Sequence, residues 1–198
     1  MPNDISSIVL AAGASTRMGR IKQLLPIGDK SAIVRCVETN LMAGIKDTIV
    51  VISPNREISK AIEQFSVKKA LNHSPKSEMV ESVRIGLNAA APSSQGIIIF
   101  PADYPLVSHY TLRKLIEVFQ KKGDKIIIPL YHGKRGHPVL FPVSLLIHIY
   151  SGYNLREIIQ RHRDNVTYYE VNDKAVVLDM DTEEDYRRIC ETYLENVK

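Results

Sequence analysis

Lys22 closes a run, Leu10-Ala11-Ala12-Gly13-Ala-Ser-Thr-Arg17-Met-Gly19-Arg-Ile-Lys22, in which small residues free the backbone and cations stand at fixed positions. Glycine lets amides approach a phosphate closely, and fixed ammonium and guanidinium groups neutralise it, so these are the parts a polyphosphate site needs. The run has no Gly-Lys-Ser/Thr ending and no G-x-G-x-x-G, which removes the Walker and dinucleotide fingerprints. Taken alone, it reads equally well as a solvated loop with incidental basic residues. The acids that stand out are Asp103, between Pro101 and Pro105, and the pair Asp179 and Asp181. Each has a plain structural reading beside a functional one: a turn-forming aspartate, and a charge at a helix N-terminus. His137 sits in Gly136-His137-Pro138, where an imidazole can tie down a turn. His73, His109, His132, His148 and His162 are dispersed, without i, i+4 pairing or cysteine partners, which argues against zinc.

The elements that must position these groups follow from the apolar periodicity. The run at 5–10 is short and mostly apolar and stops at the loop, as a buried parallel strand does. Ile33, Val37 and Leu41 recur at helical spacing between Ser31, an N-cap, and Gly44, a stop. The β-branched run 48–52 is a second strand, ended by Ser53-Pro54-Asn55. Helices are expected over 55–65 and 78–90, and a third buried strand over 96–100. Asp103 then falls at a strand's carboxyl end, before a helix capped by Ser108. The rest reads as a strand over 125–129, a turn-rich connection over 132–138, and a strand over 139–141. Short helices between 143 and 160 and a strand over 166–171 follow. A last helix opens on the Thr182/Asp185 capping pair and buries Tyr186, Ile189, Cys190 and Tyr193. Alternation of this kind implies an α/β fold with a mostly parallel sheet flanked by helices, in a single domain over 1–198.

Composition narrows the partners. Of 198 residues, 44% are hydrophobic and 24% charged, as in an ordinary globular chain. The net charge of +4 comes from scattered basic residues with no aromatic interleaving, so a small anionic substrate is expected and no nucleic acid. Cys36 and Cys190 lie far apart in helical patterns, which predicts buried thiols. There is no charged leader before residue 5 and no apolar run near the ~20 residues of a membrane span, so the expected compartment is the cytoplasm.

The segment VLAAGASTRMGRIKQLLP resembles the N-terminal motif L-A-A-G-x-S-x-R-M-G-x-x-K-x-L-L of the MobA-like nucleotidyltransferases, and within them the molybdenum cofactor cytidylyltransferases. FPADYPLV, GKRGHPVLF and LDMDTEEDY resemble that family's later landmarks, in its order and across almost the whole chain. The resemblance implies a Rossmann-like sheet of the nucleotide-diphospho-sugar transferase type, with Mg²⁺ as cofactor. It also implies transfer of a nucleoside monophosphate from an NTP to a phosphorylated acceptor, releasing pyrophosphate. Under it, Leu10, Ala11, Ala12 and Gly13 hold base and ribose through main-chain groups, and Arg17 and Lys22 clamp the phosphates. Asp103 and Asp181 bind the metal, Asn72 and Ser82 shape the nucleotide pocket, and His137 faces the acceptor. Ala11-Ala12, where guanylyl-transferring relatives carry Gly-Gly, favours CTP, with a phosphorylated pterin as acceptor and a recipient molybdoenzyme as a further partner. The alternatives are a GTP-using or sugar-phosphate transferase and, in another class, a non-catalytic carrier of the cofactor. The chain departs from the pattern at Glu78, where the family has glycine, and at Gly152-Tyr-Asn-Leu-Arg156, where it carries Gly-Asp-x-Gly-Ala-Arg.

Overall fold

A computed structural model describes residues 4–13, 19–74 and 78–197. Its central feature is an eight-stranded sheet in the order β10-β7-β9-β6-β1-β4-β5, with β8 added on β7. The strands are β1 (Ile5–Ala11), β4 (Asp47–Ile52), β5 (Lys68–Leu71), β6 (Gly96–Pro101), β7 (Ile126–Tyr131), β8 (Lys134–Arg135), β9 (Val139–Pro142) and β10 (Val166–Glu170). A separate two-stranded hairpin pairs β2 (Pro26–Ile27) with β3 (Lys30–Ser31). β1 runs parallel to β4 and β6, and β4 to β5, whereas β9 is antiparallel to both β6 and β7. The sheet is therefore mostly parallel, as the periodicity implies.

Helices cover both faces because the central strands bury side chains on both. Val9, Val50, Ile98 and Phe100 face one core cluster, while Ile8, Ile49, Val51, Ile97 and Ile99 face the other, which is the period-2 alternation of a strand. The first face packs α1 (Ala32–Met42), α2 (Arg56–Ala61) and α4 (His109–Lys122). The second packs α3 (Met79–Ala89), α5 (Val143–Leu146) and α6 (Leu155–Arg161). α3 lies so close to β1 that a Cβ on Gly86 would stand 2.4 Å from Ile8 Cγ2. α7 (Glu183–Val197) covers the β2–β3 hairpin, with Ile189 buried against Leu25 and Ile27.

Several expectations need correcting. Helix α2 stops at Ala61 instead of continuing to 65, because its apolar anchors Ile58 and Ile62 are satisfied within two turns and the chain then bends through turns. Strand β5 was not expected: Lys-Lys-Ala-Leu has no apolar alternation, and it holds its place at the sheet edge through its ladder with β4. In α7 only Ile189 of the four expected residues is fully buried. Tyr186, Cys190 and Tyr193 are half-buried, since the small hairpin beneath them covers one stripe of the helix. Cys36 is buried as expected, but Cys190 is not fully so. The Thr182/Asp185 capping pair forms in both directions, with the Asp185 amide donating to Thr182 Oγ1 at 3.1 Å and the Thr182 amide to Asp185 Oδ2 at 3.0 Å. Among the described residues, no helix is long and apolar enough to cross a membrane.

Candidate active site

β1 and β6 are neighbours in parallel, with Leu10 in register with Pro101, and the Ala102 amide donates to the Leu10 carbonyl at 3.0 Å. The two strands thus release their following loops side by side, at the point where the chain reverses from building the β4–β5 side to building the β6 side. Open α/β sheets form their ligand crevice at such a switch point. Here it is a cleft of about 230 Å³ whose walls include Leu10, Ala12, Gly13, Lys22, Gln23, Asn72, Met79, Ser82 and Asp103. A larger hollow of about 630 Å³ beside Asp4, Gln95 and Phe119 lies at the other end of these strands and contains none of these groups.

Lys22 stands at the centre of the site. Its Nζ donates to Asp103 Oδ2 at 2.9 Å and to Asp181 Oδ1 at 2.8 Å, with only 15% of its side chain exposed. Burial opposes the ammonium charge, but the adjacent Asp103 and Asp181 outweigh it and hold the Lys22 pKa above the usual lysine range. Asp181 is brought there by backbone pairing: the Met180 amide donates to the Asp103 carbonyl at 2.9 Å.

The other expected residues divide. Asn72 leaves β5 with its amide donating to the Ile52 carbonyl. It then uses its side chain twice, donating to Ser82 Oγ at 2.9 Å and accepting from the Ser74 amide at 2.9 Å. Ser82, on α3, is thereby locked to the end of β5, and both residues are buried in the cleft wall. The Ala11 side chain turns into the core and does not line the cleft, which leaves its main chain as the only part able to meet a nucleotide. Arg17 lies outside the described residues. Glu78, the departure from glycine, takes extended backbone just before α3 and needs no left-handed conformation. The Gly152 segment ends a short helical turn in the left-handed region. Asn154 then caps α6 in a full capping box with Glu157, so the altered sequence builds an ordinary helix start.

His137 stands outside the cleft, behind Tyr104, with ring centroids 4.9 Å apart. Its amide donates to the Val176 carbonyl at 2.8 Å, and preceding Gly136 lies so close that a Cβ there would meet the Val176 oxygen at 2.3 Å. Burial lowers the His137 pKa against the opposing pull of Asp103 and Asp179, which favours the neutral ring. Its Nδ1 is buried without a hydrogen-bond partner among the described residues. Burial, reinforced by Asp179, Asp103 and Asp181, also pushes the Tyr104 phenol up, so the ring beside His137 stays neutral.

Sequence reasoning missed Gln23. It is 2% exposed, lines the cleft and donates from Nε2 to the Gly13 carbonyl at 3.2 Å, which fixes the first glycine of the loop. Its only signal was adjacency to Lys22. Met79, at the start of α3 and half exposed, was also missed as a wall residue.

The donor set suits a hard cation that keeps most of its ligands from elsewhere. Asp103 Oδ1 is buried with no hydrogen-bond partner among the described residues, although Oδ2 of the same carboxylate holds Lys22. Among the described residues no cluster of three or more His, Cys, Asp or Glu could cage a metal. An ion of the magnesium type takes one or two carboxylates and fills its remaining positions with phosphate oxygens and water, and Asp103 with Asp181 offers that number.

Comparisons with known proteins give the chain its relatives. The chain is 25% identical to the molybdenum cofactor cytidylyltransferase of Escherichia coli, over 96% of this chain and 98% of that one. It is 30% identical to a probable molybdenum cofactor guanylyltransferase of Natranaerobius thermophilus, over 67% and 63% of the two chains. Among solved structures, Rv0371c of Mycobacterium tuberculosis superposes with a TM-score of 0.83 at 27% identity, covering 96% of this chain and 98% of that one. A manganese complex of Rv0371c superposes with a TM-score of 0.75 at 26% identity, covering 96% and 98%. Residues 7–166, from the first strand through the cleft to the start of β10, match the MobA-like NTP transferase domain, and the chain belongs to that family of nucleotidyltransferases.

Proposed function

We propose that this chain, folded as one domain over 1–198, transfers a cytidylyl group from CTP to a phosphorylated pterin and releases pyrophosphate, with Mg²⁺ as its cofactor. The single observation that supports the reading best is the Lys22 ammonium seated between Asp103 and Asp181 at the cleft. A cation that close to two carboxylates is positioned to exchange them for phosphate oxygens once a triphosphate enters. Asp103, through its unpartnered Oδ1, and Asp181 would hold the metal, which supplies charge neutralisation on the phosphate oxygens.

The chain's own residues then have distinct tasks. Gly13, its carbonyl held by Gln23, meets base and ribose through its main chain, and Arg17 and Lys22 neutralise the departing pyrophosphate. Leu10, Ala11 and Ala12 lie against base and ribose, and Asn72 with Ser82 fixes the opposite wall. His137 takes the acceptor side behind Tyr104. A phosphorylated acceptor is already an anionic nucleophile, so alignment and charge neutralisation suffice and no general base is needed. The Ala12 methyl in the cleft wall, together with the cytidylyltransferase relative, supports a pyrimidine over a purine.

The test is pyrophosphate release from CTP and GTP with Mg²⁺ and a phosphorylated pterin. Faster turnover with CTP that disappears in Asp103→Ala is the expected result. Selectivity for GTP overturns the base assignment, and nucleotide binding without release overturns catalysis in favour of a carrier.

A further inference from the structure

A further concavity, of about 500 Å³, is lined by residues of α6, β8, β10 and the turn before β10 and shares no lining residue with the nucleotide cleft. Three arginines from three different elements converge on it: Arg135 from β8, Arg156 from α6 and Arg163 from the turn before β10. No acidic side chain lines it. Several other arginines are engaged by carboxylates, carbonyls or rings. Arg20 is bound to Glu183, Arg35 to Asp29 and to the Ile27 carbonyl, Arg84 to Glu81 and the Ile149 carbonyl, and Arg161 lies over Tyr153. Among the described residues, Arg135, Arg156 and Arg163 make no ion pair. Three guanidinium groups around one groove repel each other, and a bound anion relieves that repulsion.

One of the three arginines is restrained by an aromatic neighbour. The Arg135 guanidinium carbon lies over the Tyr168 ring, 4.8 Å from its centroid, a cation–π contact that restrains the side chain. Gln160 adds an amide, and Ile159 supplies apolar wall. The volume falls within the range of small-molecule sites, roughly 300–1,000 Å³, and leaves room for an organic group beyond a phosphate. Guanidinium forks match phosphate oxygens in pairs, and an apolar wall beside them suits the ester group.

We propose that this groove is a second binding site, separate from the nucleotide cleft, for a phosphate monoester carrying an apolar organic group. The test uses the full chain carrying Lys22→Met, so that the cleft is disabled and the result does not depend on whether the chain transfers nucleotides. Phenyl phosphate and inorganic phosphate are titrated by calorimetry near pH 7.5, where the ester is dianionic. The expected result is saturable one-to-one binding of phenyl phosphate, about tenfold tighter than inorganic phosphate and weakened at least about tenfold by Arg156→Gln with Arg163→Gln. Those two side chains are exposed, and circular dichroism checks that their replacement leaves the fold intact. Arg135→Gln, tested separately, gives the same direction. Binding unchanged by the arginine substitutions, or no saturation up to about 10 mM, overturns the site. Equal affinity for the two probes overturns the ligand class.

Discussion

The carbonyl of Asp103 accepts the amide hydrogen of Met180 at 2.9 Å, and through this bond the loop after β6 and the segment before α7 are joined at the cleft. Its consequence is electrostatic: Asp181, one residue beyond Met180, shares the Lys22 ammonium with Asp103.

Because Lys22 occupies both carboxylates, it competes with a divalent cation for them. Lys22→Met is expected to tighten Mg²⁺ or Mn²⁺ binding to the nucleotide-free chain by about tenfold, the order expected from removing one nearby positive charge. The same variant should lose nucleotidyl transfer by roughly 10²–10³-fold, the usual loss for one transition-state contact. Calorimetry with the metal alone and a pyrophosphate-release assay read these opposite directions, and weaker metal binding in the variant would contradict the competition.

Asp103 and Asp181 should not be equivalent. Asp103 buries an unpartnered oxygen, whereas the Asp181 side chain is 38% exposed. Asp103→Asn is therefore expected to reduce turnover more than Asp181→Asn, by about tenfold or more. A titration of rate against Mg²⁺ concentration for each variant checks the order.

Gln23→Ala frees the Gly13 carbonyl and leaves space where a buried amide stood. The expected outcome is a KM for the nucleotide raised about tenfold. The accompanying loss of stability is about 1–2 kcal/mol, measured by urea denaturation.

Asp47 gives a pH dependence unrelated to the cleft. Burial raises its pKa, but Lys68, Ser6 and the Ala91 amide outweigh burial and hold it below the usual carboxylate range. A depressed folded-state pKa stabilises the fold above the unfolded pKa, near 3.9, and that contribution is lost as pH falls through the folded value. Asp47→Asn is thus expected to cost about 1–2 kcal/mol at pH 7 and progressively less as pH falls below about 4, followed by denaturation across this range. A constant difference across this range would remove the ionised carboxylate as the cause.

Gly86→Ala forces a methyl to within 2.4 Å of Ile8 Cγ2 in a packed layer between α3 and β1. Overpacking of this kind costs about 1–3 kcal/mol, visible as a lower denaturation midpoint.

Local pattern was enough to write down much of the fold. β1, β4 and β6 carry apolar, largely β-branched runs that face helices on both sides, so each was legible on its own. The residue types at Lys22, Asp103 and Asp181 likewise announced a phosphate and metal site through the family motifs they occupy. β5 was not legible, because Lys-Lys-Ala-Leu becomes a strand only when β4 offers it a ladder. Gln23 was hidden for a related reason: a single amide beside a lysine has no pattern, and its value arises when the chain folds back to set it under Gly13.

By itself, then, the order of residues determined where buried strands and amphipathic helices form and which side chains could meet a triphosphate, since those properties depend on neighbours a few positions away. Tertiary structure alone decided that Lys22 lies between two carboxylates and that His137 stands behind Tyr104, outside the cleft. It also gathered Arg135, Arg156 and Arg163 around a groove of their own. Those relations join residues remote in sequence, and only strand order and loop pairing fix the distances on which their electrostatics depend.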